Sequence, residues 1–477
     1  MAAEVSDRIY NYISVLYGKE SADKYLAFIK KEPIQYIRVN TSRISREELS
    51  TVLSEKYQIK TVQVDNFENV LKVSEGQDRI GKTIEHILGF YYIQSLSSML
   101  PPLVINPDSS DIVMDLCGAP GSKSTQLAEL MNGKGTLIIN EIDNERIKSL
   151  IFNLERMIVI NSSVIHSKGE VLSKIYNDHF TKVLVDAPCS GLGIIQKKGE
   201  VNKWWSLDHV QRLQQLQIRL LVSAIKMAKT GAEIVYSTCT LSVEENEMVI
   251  DKILEKYPVK LEQVKLPVPT RQAFTEYENL KFNPELKKAV RVLPWEIDSD
   301  GFFLVKMIKT GKTEINEREV PRQNDYKIVG SNHKSIKPYI DYVTDHFGVD
   351  KNILDDYKFI FRGKEIFFVT KDWHDENIGL FNRIGLKFGT LDKKERITVN
   401  SQAAQVLEKH ITRFIYQLKN EDELYKYLTG WKIKDIDIPL GQYVVKYNNW
   451  MLGAAIMTSE GLKSRFPRTK RTQRFDF

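Results

Sequence analysis

Cysteine is scarce in this chain: Cys117, Cys189 and Cys239 are the only three among 477 residues. Their wide spacing offers neither a disulfide framework nor the paired pattern of a zinc site, so all three are expected to stay reduced and no metal is expected. No apolar run approaches the ~20 residues that a membrane span needs. The first residues, "MAAEVSDRIYNYI", lack the charged-then-apolar layout of a secretory signal. The expectation is a cytoplasmic protein without a membrane partner. Internal repeats and low-complexity tracts are missing too, so the chain is read as ordinary globular units, about two to four at this length.

Neither sign of charge dominates. The formal net charge is +6, a mild excess that suits a nucleic-acid partner without requiring one. The excess is concentrated at the end of the chain, where "GLKSRFPRTKRTQRF" carries Lys463, Arg465, Arg468, Lys470, Arg471 and Arg474 with no acid until Asp476. Such a tail is either a phosphate-binding segment or a solvated end.

The middle third is the most regular part of the chain. "DIVMDL", "GTLIINE", "KVLVDA" and "AEIVYST" are short continuous apolar runs, and amphipathic stretches such as "SKSTQLAELM" and "LDHVQRLQQLQIRLLVSAIKMA" lie between them. Strands buried on both faces and alternating with helices predict an α/β unit with a parallel, doubly wound sheet over residues 96–310. Residues 1–95 read as a small α+β unit. The polar, aperiodic "TGKTEINEREVPRQND" at 310–325 reads as a linker. Residues 326–398 form an α+β accessory unit with a hairpin in "FIFRGKEIFFV" turning near Arg362 and Gly363. Residues 399–477 read as a helix, "SQAAQVLEKHITRFIYQL", followed by a β-rich module.

Chemistry-bearing residues cluster where the apolar runs end. In "DLCGAPGSKSTQLAEL" a strand stops at Asp115 to Cys117, a Gly/Pro turn follows, and a helix starts near Ser122. Such a turn allows close approach of a ligand and offers the free N–H groups of a helix start. A phosphate-cradling P-loop needs glycine directly before Lys-Ser/Thr; here Ser122 separates Gly121 from Lys123, which disfavours an NTPase. Glu141 ends the next run, where an acid accepts hydrogen bonds from ribose hydroxyls in a nucleotide-binding βαβ unit. Asp186 and Cys189 follow the third run and Cys239 the fourth, all directed at the carboxyl edge of the sheet, where open α/β sheets bind ligands. A lone cysteine is usually a small core residue; three that each follow a buried strand toward one edge point to a thiol site.

The motifs "DLCGAPGSK", "NE", "DAPCSG" and "YSTCT" resemble those of the Nol/Nop/Sun family of RNA cytosine-5 methyltransferases. "IRVNT", "EHILGFYYIQSLSSMLPP" and the C-terminal "GLKSRFPRTKR" are similar to the members of that family that act on bacterial small-subunit ribosomal RNA. The resemblance implies a Rossmann-like methyltransferase sheet and S-adenosylmethionine as cofactor, held by Cys117, Gly118, Ala119, Pro120, Gly121, Ser122, Lys123, Glu141 and Asp186. It implies that Cys239 attacks carbon 6 of cytosine, because carbon 5 is too poor a nucleophile to take a methyl group unassisted and a thiolate is the natural attacker. Cys189 then assists release of the adduct, and Asp186 contacts the base. A base stacked in a helix cannot reach a thiol, so the target cytosine is flipped out or already unpaired. RNA contacts are expected from Lys197, Lys198 and Lys203 beside Trp204 and Trp205, and from Arg468, Lys470 and Arg471; the last module looks like a PUA-type RNA-binding domain. A monomer acting on ribosomal RNA, free or within the small subunit, is the expectation.

Two positions depart from the family. Lys168 stands where relatives carry the acid that contacts adenine, and Gly199 stands where relatives often carry proline in the loop facing RNA. A transfer-RNA methyltransferase of the same family and a non-catalytic RNA-binding assembly factor are the rival readings.

Overall fold

A computed structural model of the chain describes residues 5–314, 324 and 326–471. Its largest element is a ten-stranded sheet. Five parallel strands form the middle, in the spatial order Ala228–Thr238, Phe180–Asp186, Ile112–Asp115, Thr136–Glu141, Ser162–His166. Val113, Met114, Leu137, Ile138, Ile139, Val183, Leu184, Ile234 and Val235 are all fully buried. That is why these runs are continuously apolar: helices cover both faces, and each buried Val, Leu or Ile contributes about 1.5–3 kcal/mol. The helices Ser122–Leu130, Asn144–Arg156 and Leu207–Met227 supply the cover.

The sheet is mixed rather than wholly parallel. Phe302–Lys309 lies antiparallel beside Ala228–Thr238, and Phe381–Ile384 lies antiparallel beside Ser162–His166. A buried apolar run carries no record of strand direction, so periodicity could not distinguish the two arrangements. The Phe381–Ile384 strand comes from the segment read as an accessory unit, so the catalytic sheet draws one strand from beyond the 310–325 stretch. Most of that stretch, residues 315–323 and 325, lies outside the described residues.

The N-terminal segment divides its contacts. Helices Asp7–Tyr17 and Lys19–Lys30, separated by Gly18 at φ 83°, bury Ile9, Ile13 and Tyr25 against Leu192, Ile195 and Trp205. A four-stranded antiparallel sheet follows, built from Gln35–Val39, Lys60–Gln63, Val70–Glu75 and Tyr91–Ile93. Its core is continuous with that of the last module: Ile37, Leu53 and Tyr91 share one apolar cluster with Tyr416, Tyr427 and Phe466. The N-terminal sheet and the last module therefore pack against each other.

Beyond the catalytic sheet stand two further five-stranded sheets. The hairpin Tyr357–Arg362 with Glu365–Thr370 turns through Gly363 at φ 57°. The helix read over 401–418 is much shorter, Ser401–Val406, and Ile415–Gln417 is instead a strand parallel to Gly441–Tyr447. The backbone N–H groups of Thr412 and Arg413 donate to the carbonyl of Phe347, and Phe414 sits at φ 51°. These tertiary bonds replace the helical ones that the apolar spacing alone predicts. Among the described residues no helix is long and apolar enough to cross a membrane.

Candidate active site

The site lies where the order of the parallel strands reverses, between Ile112–Asp115 and Phe180–Asp186, the crevice in which open α/β sheets bind their ligands. On one side is the turn from Cys117 to Lys123. Its geometry is dictated by close approach: a Cβ on Gly118 would stand 2.2 Å from Ile139 Cγ2, and Gly121 takes φ 107°. Side chains grip the turn's carbonyls from outside. Arg146 Nη2 donates to Ala119 O (2.6 Å), Asn153 Nδ2 to Pro120 O (2.9 Å) and Arg38 Nη1 to Ser122 O (2.9 Å). Helix Ser122–Leu130 then starts with its N–H groups at the crevice.

Arg38 is fully buried and belongs to the "IRVNT" stretch. Besides Ser122 it donates to Glu129, Thr125 and Gln94. Gln94 and Ser98, from "YYIQSLSSM", complete the support: Gln94 donates to Gln126, and Ser98 Oγ accepts from Lys123 Nζ at 3.1 Å. Those two motifs thus brace the ligand turn from the N-terminal sheet.

Three buried carboxyl or amide oxygens at this crevice lack a hydrogen-bond partner: Asp115 Oδ1, Asn140 Oδ1 and Glu141 Oε2. Glu141 Oε1 is held by the N–H groups of Ile142 (2.9 Å) and Asp143 (3.1 Å), while Oε2 lies 3.3 Å from the Arg146 guanidinium. Unpartnered buried acceptors are costly unless a ligand donates to them, and a nucleoside with ribose hydroxyls supplies such donors. Burial raises the Asp115 carboxyl to about 6, opposed by a 2.6 Å bond from Ser124 and reinforced by the charge of Asp186.

On the other side, Lys123 Nζ meets Asp186 Oδ2 at 2.7 Å. Burial works against the lysine's charge, but the Asp186 carboxylate outweighs it, so the ammonium is held above its ordinary range. Asp186 Oδ1 accepts from Ser237 Oγ at 2.7 Å, which fixes the carboxylate plane. Beyond it the two loops bring Cys189 Sγ and Cys239 Sγ to 3.0 Å. The hydrogen bond to Cys239 pushes the Cys189 thiol well above the usual thiol range; burial and the Cys239 charge add to it. A negative charge on one sulfur would therefore oppose ionisation of the other. Cys117 stays in the turn, packed against the core cluster of Met114 and Leu116. Burial drives its thiol well upward, which disfavours the thiolate.

The expected RNA contacts separate into exposed and buried residues. Lys198, on the loop after Cys189, and Lys203 and Trp204, in the short helix Val201–Trp204 that follows it, are exposed, and Lys197 pairs with Asp300 at 2.9 Å. Trp205 is core, stacked at a tilt on Tyr12. Arg468 is exposed, but Lys470 is buried, its ammonium donating to the Glu155 carbonyl at 3.3 Å; it faces inward because the tail folds back over the catalytic unit. That corrects its reading as a phosphate contact. Arg471 is half-buried and donates to the Phe466 carbonyl, and residues 472–477, with Arg474, lie outside the described residues. Lys168 is exposed at the end of the third parallel strand.

Sequence reading missed the stretch Glu244 to Glu247. Each of these four side chains ties the Cys239 turn to another element: Glu244 accepts from Tyr12, Glu245 from Ser190, Asn246 from Thr238, and Glu247 from Arg291. The only local signal is four consecutive polar residues at the start of a helix whose next turn is apolar, where a solvated first turn is the usual reading.

The sequence model of the family described as "16S rRNA methyltransferase RsmB/F" matches residues 102–308. Ribosomal RNA small subunit methyltransferase F of Shewanella woodyi is 31% identical over 462 residues, covering 94% of this chain and 92% of that protein. A tRNA (cytosine(49)-C(5))-methyltransferase of Pyrococcus abyssi is 35% identical over 290 residues, 61% of this chain and 93% of that protein. Among solved structures, a methyltransferase homolog protein from Pyrococcus horikoshii superposes with a TM-score of 0.54 at 31% identity, over 64% of this chain and all of that one.

Proposed function

The chain belongs to the RsmB/F family of 16S rRNA methyltransferases within the Nol/Nop/Sun group, and on that premise we propose that it forms 5-methylcytosine in small-subunit ribosomal RNA with S-adenosylmethionine as methyl donor. The observation that carries the reading is the Cys189–Cys239 pair, sulfurs 3.0 Å apart, beside the Lys123–Asp186 ion pair at the sheet's ligand crevice. When bound, S-adenosylmethionine supplies a methyl group made electrophilic by its sulfonium. The turn from Gly118 to Lys123 and the Glu141 carboxylate would hold it.

The chain's own residues then divide the work. Cys239 attacks carbon 6 as a thiolate, with the Cys189 thiol donating its proton toward that sulfur in the resting site. Attack moves the ring's electron pair toward carbon 5, which takes the methyl group, while Asp186 accepts from the N4 amino group and holds the base in place, with the Lys123 ammonium beside it to offset the developing negative charge. Once Cys239 is bonded to carbon, its negative charge is gone, and the repulsion that kept Cys189 protonated goes with it. Cys189 then loses its proton to water and, as a thiolate, removes the hydrogen on carbon 5, so that one proton is released to solvent per methyl group transferred. The C6–S bond breaks, its electrons leave with Cys239, and the aromatic ring is restored.

Lys198, Lys203 and Trp204 beside the cysteine loop, and Arg468 on the last module, are positioned to hold flanking RNA, and we read that module as a PUA-type RNA-binding domain. Ribosomal over transfer RNA is favoured by the extent of the likeness: the ribosomal relative aligns through the C-terminal modules, whereas the transfer-RNA relative covers 61% of the chain. Adenine has no acid at position 168, so its amino group bonds Ser167 or a main-chain carbonyl instead.

Bisulfite sequencing of 16S rRNA and tRNA from cells with and without the gene tests the reading. Loss of one or a few 16S methylcytosines, restored by the wild-type chain and not by Cys239→Ala, is expected. An unchanged 16S pattern with a lost transfer-RNA mark would overturn it.

A further inference from the structure

The loops that carry Cys189 and Cys239 leave neighbouring strands and extend past the last paired residues, Asp186 and Ser237. Beyond that point main-chain bonds between them are few: Ala187 N to Ser237 O and Gly193 N to Cys239 O. Beside the Cys189–Cys239 sulfur contact and the Ser190–Thr240 hydroxyl contact, the side chain with most bonds to the two loops is the fully buried carboxylate of Glu245. Its Oε1 accepts from Ser190 N (2.8 Å) and Gln217 Nε2 (2.9 Å). Its Oε2 accepts from the hydroxyls of Ser190 and Ser242, the latter at 2.7 Å. Ser190 follows Cys189, and Gln217 also donates to the carbonyl of Pro188, which precedes it (2.9 Å). Ser242 stands on the Cys239 turn, whose Thr240 hydroxyl lies 2.9 Å from that of Ser190.

Four hydrogen bonds converge on the two oxygens, two from N–H groups and two from hydroxyls. Among the described residues no basic side chain forms a salt bridge with Glu245; its partners are the Ser190 backbone N–H, the Gln217 amide and the two serine hydroxyls. This group does not face the crevice; it sits behind the two thiols and joins their loops to each other and to helix Leu207–Met227.

We propose that Glu245 is a positioning residue that sets the approach of Cys189 to Cys239, and so couples formation of the covalent adduct to its release. The inference rests on the adduct chemistry proposed above. Without the carboxylate, the Cys189 loop is free to move relative to the Cys239 turn. Attack by Cys239 survives better than proton removal by Cys189, because Cys239 is also gripped by Asn246, which bonds Thr238 on one side and the Thr240 carbonyl on the other.

The test compares wild type, Glu245→Ala and Glu245→Gln on in vitro transcribed 16S rRNA, reading kcat, KM for S-adenosylmethionine, melting temperature, and the fraction of protein bound covalently to RNA on denaturing gels. Glu245→Ala is expected to lower kcat on the order of 100-fold, the scale of a misplaced reacting group. Its KM for S-adenosylmethionine stays within about threefold, and adduct accumulates on unmodified RNA. Glu245→Gln restores most of the rate, because the Ser190 and Ser242 hydroxyls can rotate to accept from the amide. A folded Glu245→Ala with wild-type kcat would overturn the proposal, and so would a loss of rate without adduct. If Glu245→Ala does not fold, the double variant Ser190→Ala/Ser242→Ala, which removes only the hydroxyl donors, is expected to accumulate adduct; wild-type behaviour there overturns it. Failure of the wild type to form any adduct with RNA containing 5-fluorocytidine strikes the underlying reading of function instead.

Discussion

Cys189 Sγ lies 3.0 Å from Cys239 Sγ, although the two residues are 50 positions apart and sit on loops from different strands. The pairing follows from strand order: Phe180–Asp186 and Ala228–Thr238 are parallel neighbours, with Asp186 in register with Ser237. Both chains leave the sheet at the same height and in the same direction. At this distance the two thiols are in hydrogen-bond contact, so a charge on one bears directly on the other.

That relationship predicts unequal effects of removing either sulfur. Cys189→Ala keeps the attacking group and loses the one that clears the adduct. It should accumulate a covalent protein–RNA complex, visible as a retarded band on a denaturing gel, with turnover down by about 1,000-fold. Cys239→Ala should show neither turnover nor adduct. Adduct formed equally by both variants would reverse the two roles.

The brace behind the ligand turn predicts a stability effect at Arg38. Its guanidinium is fully buried and serves the Ser122 carbonyl, Thr125 and Glu129 at once. Arg38→Ala leaves Glu129 without its ion-pair partner, and should cost about 3–4 kcal/mol in urea unfolding while weakening S-adenosylmethionine binding. Arg38→Lys should recover less than half, since an ammonium cannot reproduce the planar fork of donors.

Asp115 predicts a pH dependence. Its carboxyl is raised to about 6 in the folded chain, mainly by burial, from an ordinary 3.8. Below the ordinary value both folded and unfolded forms are protonated and nothing is lost. As pH rises toward 6 the unfolded chain ionises first, so folding weakens; above 6 the penalty is complete. Asp115→Asn removes this term, and its stability relative to wild type should rise by about 1–2 kcal/mol between pH 5 and 7.5. Urea unfolding at the two pH values measures it, and equal differences at both would show that Asp115 is ionised throughout.

Much of the site is legible in the amino-acid sequence. Asp115, Cys117, Glu141, Asp186, Cys189 and Cys239 each stand at or just past the end of an apolar run, and strand ends can be read locally. The Gly118 turn is legible for the same reason, since the requirement for close approach is written in its residue types. The inward turn of Lys470 is not: a lysine among five other basic residues carries no sign that a carbonyl from residue 155 will take its ammonium. Glu245 is hidden likewise, because an acid at the start of a helix looks the same whether water or two loops surround it.

By itself, then, the order of amino acids determined where strands begin and stop, which groups emerge at their ends, and what chemistry those groups can do, because periodicities of two and 3.6 residues are properties of a short stretch. Tertiary structure alone decided which strands lie side by side, that a later segment completes the sheet, and which polar side chains are enclosed. Strand pairing and burial depend on residues tens to hundreds of positions away, and no local pattern encodes them.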